Sequence, residues 1–137
     1  MGRFVALGSL LMDSLSNRIR DLLPGVPMRY RSEQSSTTDY ILVDDDDDRY
    51  SEEWSDKDAK ANDCSVVLEF WSNKPRTASN NAKRLIDSLE KLPLTVTGFY
   101  HLRTVIERNS GRAALTIEGQ SNQYSRQLQI RFYYHPS

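Results

Sequence analysis

The sequence predicts an α+β fold: a mostly antiparallel sheet with two main helices packed on one face. Two segments repeat apolar residues every three to four positions, as a helix with one buried side does. Other segments alternate apolar and polar residues or concentrate Val, Ile, Thr and aromatic residues, which is typical of strands. The chain has 137 residues, close to the commonest domain size, so we expect one domain over residues 1–137. Antiparallel pairing is the simplest arrangement for this order of elements.

The first helix is predicted over about residues 5–23. Its apolar positions recur at helical spacing: Leu7, Leu11, Leu15, Ile19 and Leu22 or Leu23. Pro24 ends it, because proline cannot donate to the helical ladder and disfavours a helical residue before it. The second helix is predicted over about Arg76–Leu92, with Pro93 just beyond its end. Its apolar positions are Ala78, Ala82, Leu85, Ile86 and Leu89.

Two strands are predicted more clearly than the others. Ser65–Trp71 and Gln127–Tyr134 alternate cleanly, which is typical of half-buried strands. Shorter strands are predicted at Met28–Arg31 and Tyr40–Val43, and one or two more within Leu94–Phe99 and Tyr100–Arg108. Asn109, Ser110 and Gly111 predict a turn. Residues 113–118 are compatible with more sheet, and residues 119–123 are expected to be loop.

The formal net charge of −1 hides a strong segregation along the chain. Residues 1–38 carry a net +2, residues 39–69 a net −9 and residues 70–137 a net +6. The run Asp44–Asp48 suits neither helix nor strand, so we expect a flexible acidic loop over about residues 44–63. Because nucleic-acid binders usually have a basic excess, this balance disfavours generic DNA binding and favours charge-complementary self-association.

Simple residue counts exclude several classes of protein. The single cysteine, Cys64, excludes an intramolecular disulfide and a Cys-rich zinc site. No stretch approaches the 18 apolar residues of a transmembrane helix, so no membrane partner is expected.

Three groups of residues are candidates for an enzyme or metal site. An EF-hand starting at Asp44 fails, because Arg49 and Ser55 stand where glycine and glutamate are required. A metal-dependent nuclease would use Asp58, Lys60 and Glu69, but no strand pattern places that lysine. Cys64 and His101 are a conceivable nucleophile and base, although a buried strand cysteine is the simpler interpretation. We therefore predict no catalytic, cofactor-binding or metal residues.

Two features favour an interaction surface instead. Basic residues of the second helix and the last strand could form one patch, or they could simply belong to the solvent-exposed faces of those two elements. These residues are Lys83, Arg84, Lys91, Arg126 and Arg131. Trp54 stands alone among acidic and polar residues, so it is expected to pack either on its own domain or on a neighbouring subunit.

In order and spacing, the chain resembles the small tail-completion or tail-terminator proteins of long-tailed bacteriophages. The resemblance rests on LLMDSLSNRIRDLLPGVPMRY, on the central block CSVVLEFWSNKPRTASNNAKRLIDSLEKL and on the closing RQLQIRFYY. Together these span about Leu10 to Tyr134. The acidic segment is longer and more acidic than expected for the family.

The resemblance implies a non-enzymatic virion protein of the tail or neck, present in the host cytoplasm during assembly. Such a protein would form a homo-oligomeric ring, commonly of six subunits. The ring would cap the tail tube, end tube elongation and present the tail-side surface for head–tail joining. Its implied partners are copies of itself, the tail tube protein and a head-side neck or connector protein, with DNA only as cargo passing through the ring. The alternatives are another connector, head-completion or assembly factor, or a metal-dependent enzyme.

A closed ring joins one patch of a subunit to a different patch of the next, and segregated charge suits that geometry. The predicted interface therefore comprises an acidic part and a basic part. The acidic part is Asp44, Asp45, Asp46, Asp47 and Asp48 with Trp54, and the basic part is Arg84, Lys91 and Arg131. An acidic lumen that lets DNA slide past is a competing use of the same aspartates.

Overall fold

The computed structural model describes residues 3–30, 39–43, 53–54, 62–115 and 123–136. It contains two helices, α1 (Arg3–Leu22) and α2 (Pro75–Lys91). Six strands follow the order β1 (Met28–Tyr30), β2 (Tyr40–Val43), β3 (Glu53–Trp54), β4 (Asn62–Ser72), β5 (Phe99–Leu115) and β6 (Gln123–Pro136). The α+β prediction is confirmed.

The strands form one sheet in the order β1-β2-β4-β6-β5, and β3 also pairs with β4. Only β1 and β2 are parallel among the described pairs; the others are antiparallel. Strand β4 pairs with β6 along its whole length, from Asn62 opposite Tyr134 to Ser72 opposite Tyr124. These two strands are the centre of the sheet.

Both helices cover one face of the sheet, as predicted. The predicted stripe of α1 is fully buried at Leu7, Leu11, Leu15 and Ile19. These side chains share one core with Leu85 and Leu89 of α2 and with apolar residues of β2, β4 and β6. Because burial of each such side chain stabilises the fold by about 1.5–3 kcal/mol, the core fixes how the helices lie on the sheet.

The end of α2 is held by Arg18 of α1. The Arg18 guanidinium donates to the Ser88 hydroxyl at 3.0 Å, to the Leu92 carbonyl at 2.7 Å and to the Pro93 carbonyl at 3.4 Å. The last carbonyls of a helix have no partner within the helix and carry partial negative charge, so a cation is favourable there. Arg18 therefore links the two helices.

Of the one or two strands predicted within Leu94–Phe99 and Tyr100–Arg108, the structure has one, β5, which begins at Phe99. Residues 93–96 have no regular structure, and a turn at residues 97–98 leads into β5. Gly98 has φ +87°, a conformation that favours glycine. The apolar residues Leu94 and Val96 are nevertheless buried, and Tyr134 donates to the Leu94 carbonyl at 2.6 Å. The apolar character of the segment reflects burial and not strand pairing.

Three predicted loops contain strand residues, and the third is residues 119–123, where Gln123 begins β6. The predicted turn Asn109–Gly111 is wrong, because these residues continue β5 and pair with Leu128, Gln127 and Arg126 of β6. The predicted loop over residues 44–63 is wrong at Glu53–Trp54 and at Asn62–Asp63, which pair with each other as β3 and the start of β4. In each case, hydrogen bonding to a neighbouring strand outweighs weak local propensity.

Candidate interaction surfaces

The two faces of the sheet differ in chemistry because side chains alternate along each strand. On β6, the residues that face the helices are Leu128, Ile130, Phe132 and Tyr134, all fully buried. The opposite surface, called here the helix-free face, carries Asp63, Ser65, Val67, Glu69 and Trp71 of β4 with Ser125, Gln127, Gln129, Arg131 and Tyr133 of β6. The helix-free face is the polar one.

Arg131 is the centre of an ion-pair cluster on the helix-free face. Its Nε donates to Glu107 at 3.0 Å, and its Nη1 donates to Asp63 on the other side. The hydrogen bond with the Asp63 carboxylate raises the pKa of Arg131, so the guanidinium stays charged. One cation thus joins β4, β5 and β6 across the face.

A second polar cluster surrounds Glu69, which is buried on the same face. The Trp71 indole donates to Glu69 at 3.2 Å, and the Gln127 amide lies 3.5 Å from the other carboxylate oxygen. The ring of Tyr40 stacks on that of Trp71, with centroids 6.1 Å apart. Burial, together with the charge of Glu69, raises the pKa of the Tyr40 phenol. Glu69, considered above as a nuclease ligand, is thus part of a hydrogen-bonded structural cluster.

The outer side of α2 is a separate charged surface. Arg84 and Lys91 are exposed there. Lys83 forms an ion pair with Asp87 one turn away, at 2.9 Å. Arg84 and Lys91 also line a shallow groove of about 320 Å³ beside Leu22 of α1 and Leu92. This surface mixes both signs of charge.

The structure separates the predicted basic residues. Arg84 and Lys91 lie on the outer side of α2, whereas Arg131 lies on the helix-free face, on the other side of the sheet. Arg126 lies near the start of β6, opposite Gly111 of β5, and its Nε donates to the side-chain oxygen of Asn109 at 2.6 Å. These residues therefore do not form one continuous patch.

The acidic part of the predicted interface is mostly outside the described residues. Asp44, Asp45, Asp46, Asp47 and Asp48 all fall outside them, as do Asp58 and Lys60. Trp54 lies in β3, and its backbone pairs opposite Asn62. The interface thus stays a prediction.

The conceivable nucleophile and base each make contacts within the fold. Cys64 is fully buried in the core. The His101 ring lies edge-on to Tyr134, with centroids 5.3 Å apart, and hydrogen bonds to the Thr104 hydroxyl at 2.8 Å. Burial lowers the pKa of His101. The described residues contain no group of three or more His, Cys, Asp or Glu arranged to hold a metal ion.

Asp63 and Glu107 are the residues that sequence reasoning missed. The sequence pattern places Asp63 in the acidic loop, and Glu107 belongs to no motif. Their meeting at Arg131 depends on the register of β4 and β5 on β6, including the register shift between Ile106 and Arg108. The sequence offers opposite charges on separate strands as a signal for an ion pair. Only the pairing of the strands shows that Asp63, Glu107 and Arg131 are the residues that meet.

Comparison with solved structures finds a similar fold in two other proteins. A chain from the virion of a native gene transfer agent particle matches with a TM-score of 0.55 and 12% identity, covering 95% of each chain. The gp17 protein of bacteriophage SPP1 matches with a TM-score of 0.50 and 13% identity, covering 96% of this chain and 91% of gp17. No protein-family model matches the sequence. No curated protein matches it significantly either. None of the described helices is long and apolar enough to span a bilayer.

Proposed function

We propose that this chain is a structural protein of a phage-type virion. Copies of it form a ring of six subunits that caps the tail tube, ends tube elongation and provides the tail-side surface for head–tail joining. The observation that carries the proposal is the fold match to a chain of a gene transfer agent virion over 95% of both chains. The match to a bacteriophage protein over nearly the same span supports it.

The arrangement of the site agrees with a binding role. The conceivable catalytic residues Cys64 and Glu69 are buried, one in the core and one in a hydrogen-bonded cluster. Charged side chains remain exposed on the outer side of α2 and along β5. A structural protein uses such surfaces to recognise partners, here copies of itself, the tail tube protein and a head-side connector. DNA passes through the ring as cargo, and the protein resides in the tail or neck of the virion.

The proposal is tested by tube assembly. Purified tail-tube subunits of the same virion are polymerised with and without this protein, and tube lengths and tube ends are measured by negative-stain electron microscopy. We expect shorter tubes of uniform end structure, with a sixfold particle at one end. Tubes of unchanged length with bare ends would overturn the proposal.

The symmetry of the particle distinguishes the proposed function from the nearest alternative. A connector or head-completion protein would give a twelvefold particle that binds heads and ignores tubes. The same images report this result, because particle symmetry and the structure to which the particle binds are both visible in them.

A further inference from the structure

A shallow groove, called here the α1–α2 groove, lies between the end of α1 and the second half of α2. Its volume is about 320 Å³, and its lining residues are Leu22, Arg84, Asp87, Ser88, Lys91 and Leu92. This volume is at the lower limit of the roughly 300–1,000 Å³ of small-molecule pockets. A shallow groove of this size therefore suits one large side chain of a protein partner better than a free ligand.

Leu92 gives the α1–α2 groove an exposed apolar centre. This side chain is 65% exposed, more than any other large apolar side chain of the described residues. Leu22 beside it is half-buried and packs against the core. An apolar centre with a polar rim is the usual composition of a surface that binds another protein.

The rim of the α1–α2 groove is basic. Its one acid, Asp87, already forms an ion pair with Lys83 at 2.9 Å. Arg84 and Lys91 are exposed, and among the described residues they form no ion pair. Two such cations beside an apolar centre are complementary to a carboxylate that lies next to an apolar or aromatic side chain.

Strand β3 carries that combination at another place on the same molecule. It consists of Glu53 and Trp54, a carboxylate followed by an aromatic residue. It lies off the main strand order and pairs with β4, so none of the described strands covers its other edge. Tryptophan is among the residue types most enriched as anchors of protein interfaces. The edge at β3 therefore has the chemistry that the α1–α2 groove requires.

The α1–α2 groove and β3 lie at a similar height along the strands. Trp54 pairs with Asn62 of β4, and Asn62 pairs with Tyr134 of β6. The Tyr134 hydroxyl donates to the carbonyl of Leu94, two residues after Leu92. A ring whose axis runs along the strands joins patches of similar height on neighbouring subunits, and these two patches meet that condition.

We infer that the α1–α2 groove is the docking site for β3 of a second copy of this chain. Trp54 of the second copy fills the groove, and Glu53 supplies the carboxylate for its basic rim. The contact joins two different patches, and such a head-to-tail contact forms a ring when its rotation closes. The inference rests on the proposed function for its ring, and it selects Arg84 and Lys91 over Arg131 as the basic side of the interface.

The first experiment tests the groove with two matched leucine variants. Leu92→Asp places a charge at its centre, whereas Leu102→Asp changes a leucine that is 51% exposed but lines a separate groove between α2 and β5. Self-association is measured by mass photometry and sedimentation over a concentration series, and folding by circular dichroism. We expect Leu92→Asp to raise the dissociation constant for self-association by about tenfold or more, the effect of a central interface residue. Leu102→Asp should assemble like the wild type.

The second experiment tests the occupant of the groove. Trp54→Ala should weaken self-association as much as Leu92→Asp does, whereas Tyr100→Ala removes a 64% exposed aromatic side chain of β5 and should have no effect. An equal mixture of Leu92→Asp and Trp54→Ala should give heterodimers that grow no further. One variant keeps an intact β3 and the other an intact groove, so each pair can form a single head-to-tail contact. A mixture that stays monomeric would overturn the pairing of β3 with the groove.

The third experiment tests the charge pairing. Arg84→Glu with Lys91→Glu, and separately Glu53→Lys, should each weaken assembly at low salt. The three changes combined in one chain should restore assembly, because the two patches again carry opposite charge. Wild-type assembly should weaken as salt rises. Failure of the combined variant to recover would contradict the proposed contact.

The outcomes distinguish the interface from the function. A folded Leu92→Asp variant that assembles like the wild type overturns the docking site, as does a wild-type protein that stays monomeric throughout the series. If the protein still shortens tubes in either case, the proposed capping function stands without this interface. If it forms rings that depend on Leu92 and Trp54 yet ignores tubes, the interface stands and the capping function fails.

Discussion

The two faces of the central sheet illustrate how one strand serves two purposes. Phe132 and Tyr134 of β6 are fully buried beneath the helices, whereas Arg131 and Tyr133 between them lie on the helix-free face. The first pair excludes water, and the second pair makes ionic and cation–π contacts with β5. Burial under the helices therefore contributes more to the stability of this fold than the partly exposed polar contacts that link strands on the helix-free face.

The largest effect is expected from breaking the covered face. Phe132→Ala removes a fully buried aromatic side chain and leaves a cavity, so we expect a loss of about 3–5 kcal/mol in the free energy of unfolding. Tyr133→Ala is the matched control one residue away. It loses a half-buried ring whose contact with Arg103, at 4.4 Å from the ring centroid, is worth about 0.5–1 kcal/mol. Urea denaturation measures both, and equal losses would contradict the comparison.

A smaller effect is expected from Tyr134→Phe, which keeps the ring and removes one hydroxyl. The Leu94 carbonyl then loses its buried partner, at a cost of about 1–3 kcal/mol. The variant should remain folded with unchanged secondary structure, measured by circular dichroism during urea denaturation. A variant as stable as the wild type would show that this hydrogen bond does not hold the 93–98 segment.

The same tyrosine predicts a dependence on alkaline pH. Burial raises the pKa of Tyr134 to about 12, above the ordinary value of 10.0. The stabilisation linked to the neutral phenol is therefore complete below pH 10 and is lost as the pH rises from 10 to about 12. Tyr134→Phe should show a shallower fall in stability over that range, measured by urea denaturation at several pH values. An identical slope in both proteins would contradict this assignment.

The smallest effect is expected from Arg131→Gln on the helix-free face. Arg131 and its partners Asp63 and Glu107 are partly accessible to water, so we expect a loss of about 1 kcal/mol or less. The difference from the wild type should shrink in high salt, because salt screens partly exposed charges. Thermal unfolding at low and high salt measures it. A loss of stability as large as that of Phe132→Ala would mean that the ion pairs of the helix-free face stabilise the fold as much as the core does.

Local patterns predicted most of the elements. The helical repeat of Leu7, Leu11, Leu15 and Ile19 and the alternation over Gln127–Tyr134 each reflect burial on one side of an element, which residue spacing alone reveals. The same reasoning failed at Asn109–Gly111 and at Asp63. Their strand conformation comes from hydrogen bonds to residues far away in the sequence, and no local pattern carries that information.

The candidate sites were less predictable than the fold. Charge alone groups Arg131 with Arg84 and Lys91, although the sheet places it on the opposite side from α2. Leu102 belongs to no sequence motif, and this exposed residue lies at the register shift between His101 and Arg103, which only the pairing of β5 with β6 fixes. Exposure and adjacency are properties of the assembled sheet.

By itself, the sequence determined the fold class, the two amphipathic helices, the clearest strands and the segregation of charge along the chain. Each of these follows from residue type and short-range spacing. The tertiary structure decided the strand order and the register that brings Asp63 and Glu107 to Arg131. The physical reason is that these features arise from pairing between residues distant in the sequence, such as Arg131 with Glu107 and Asp63, 24 and 68 positions away. Such pairing is settled only when the whole sheet packs against its helices.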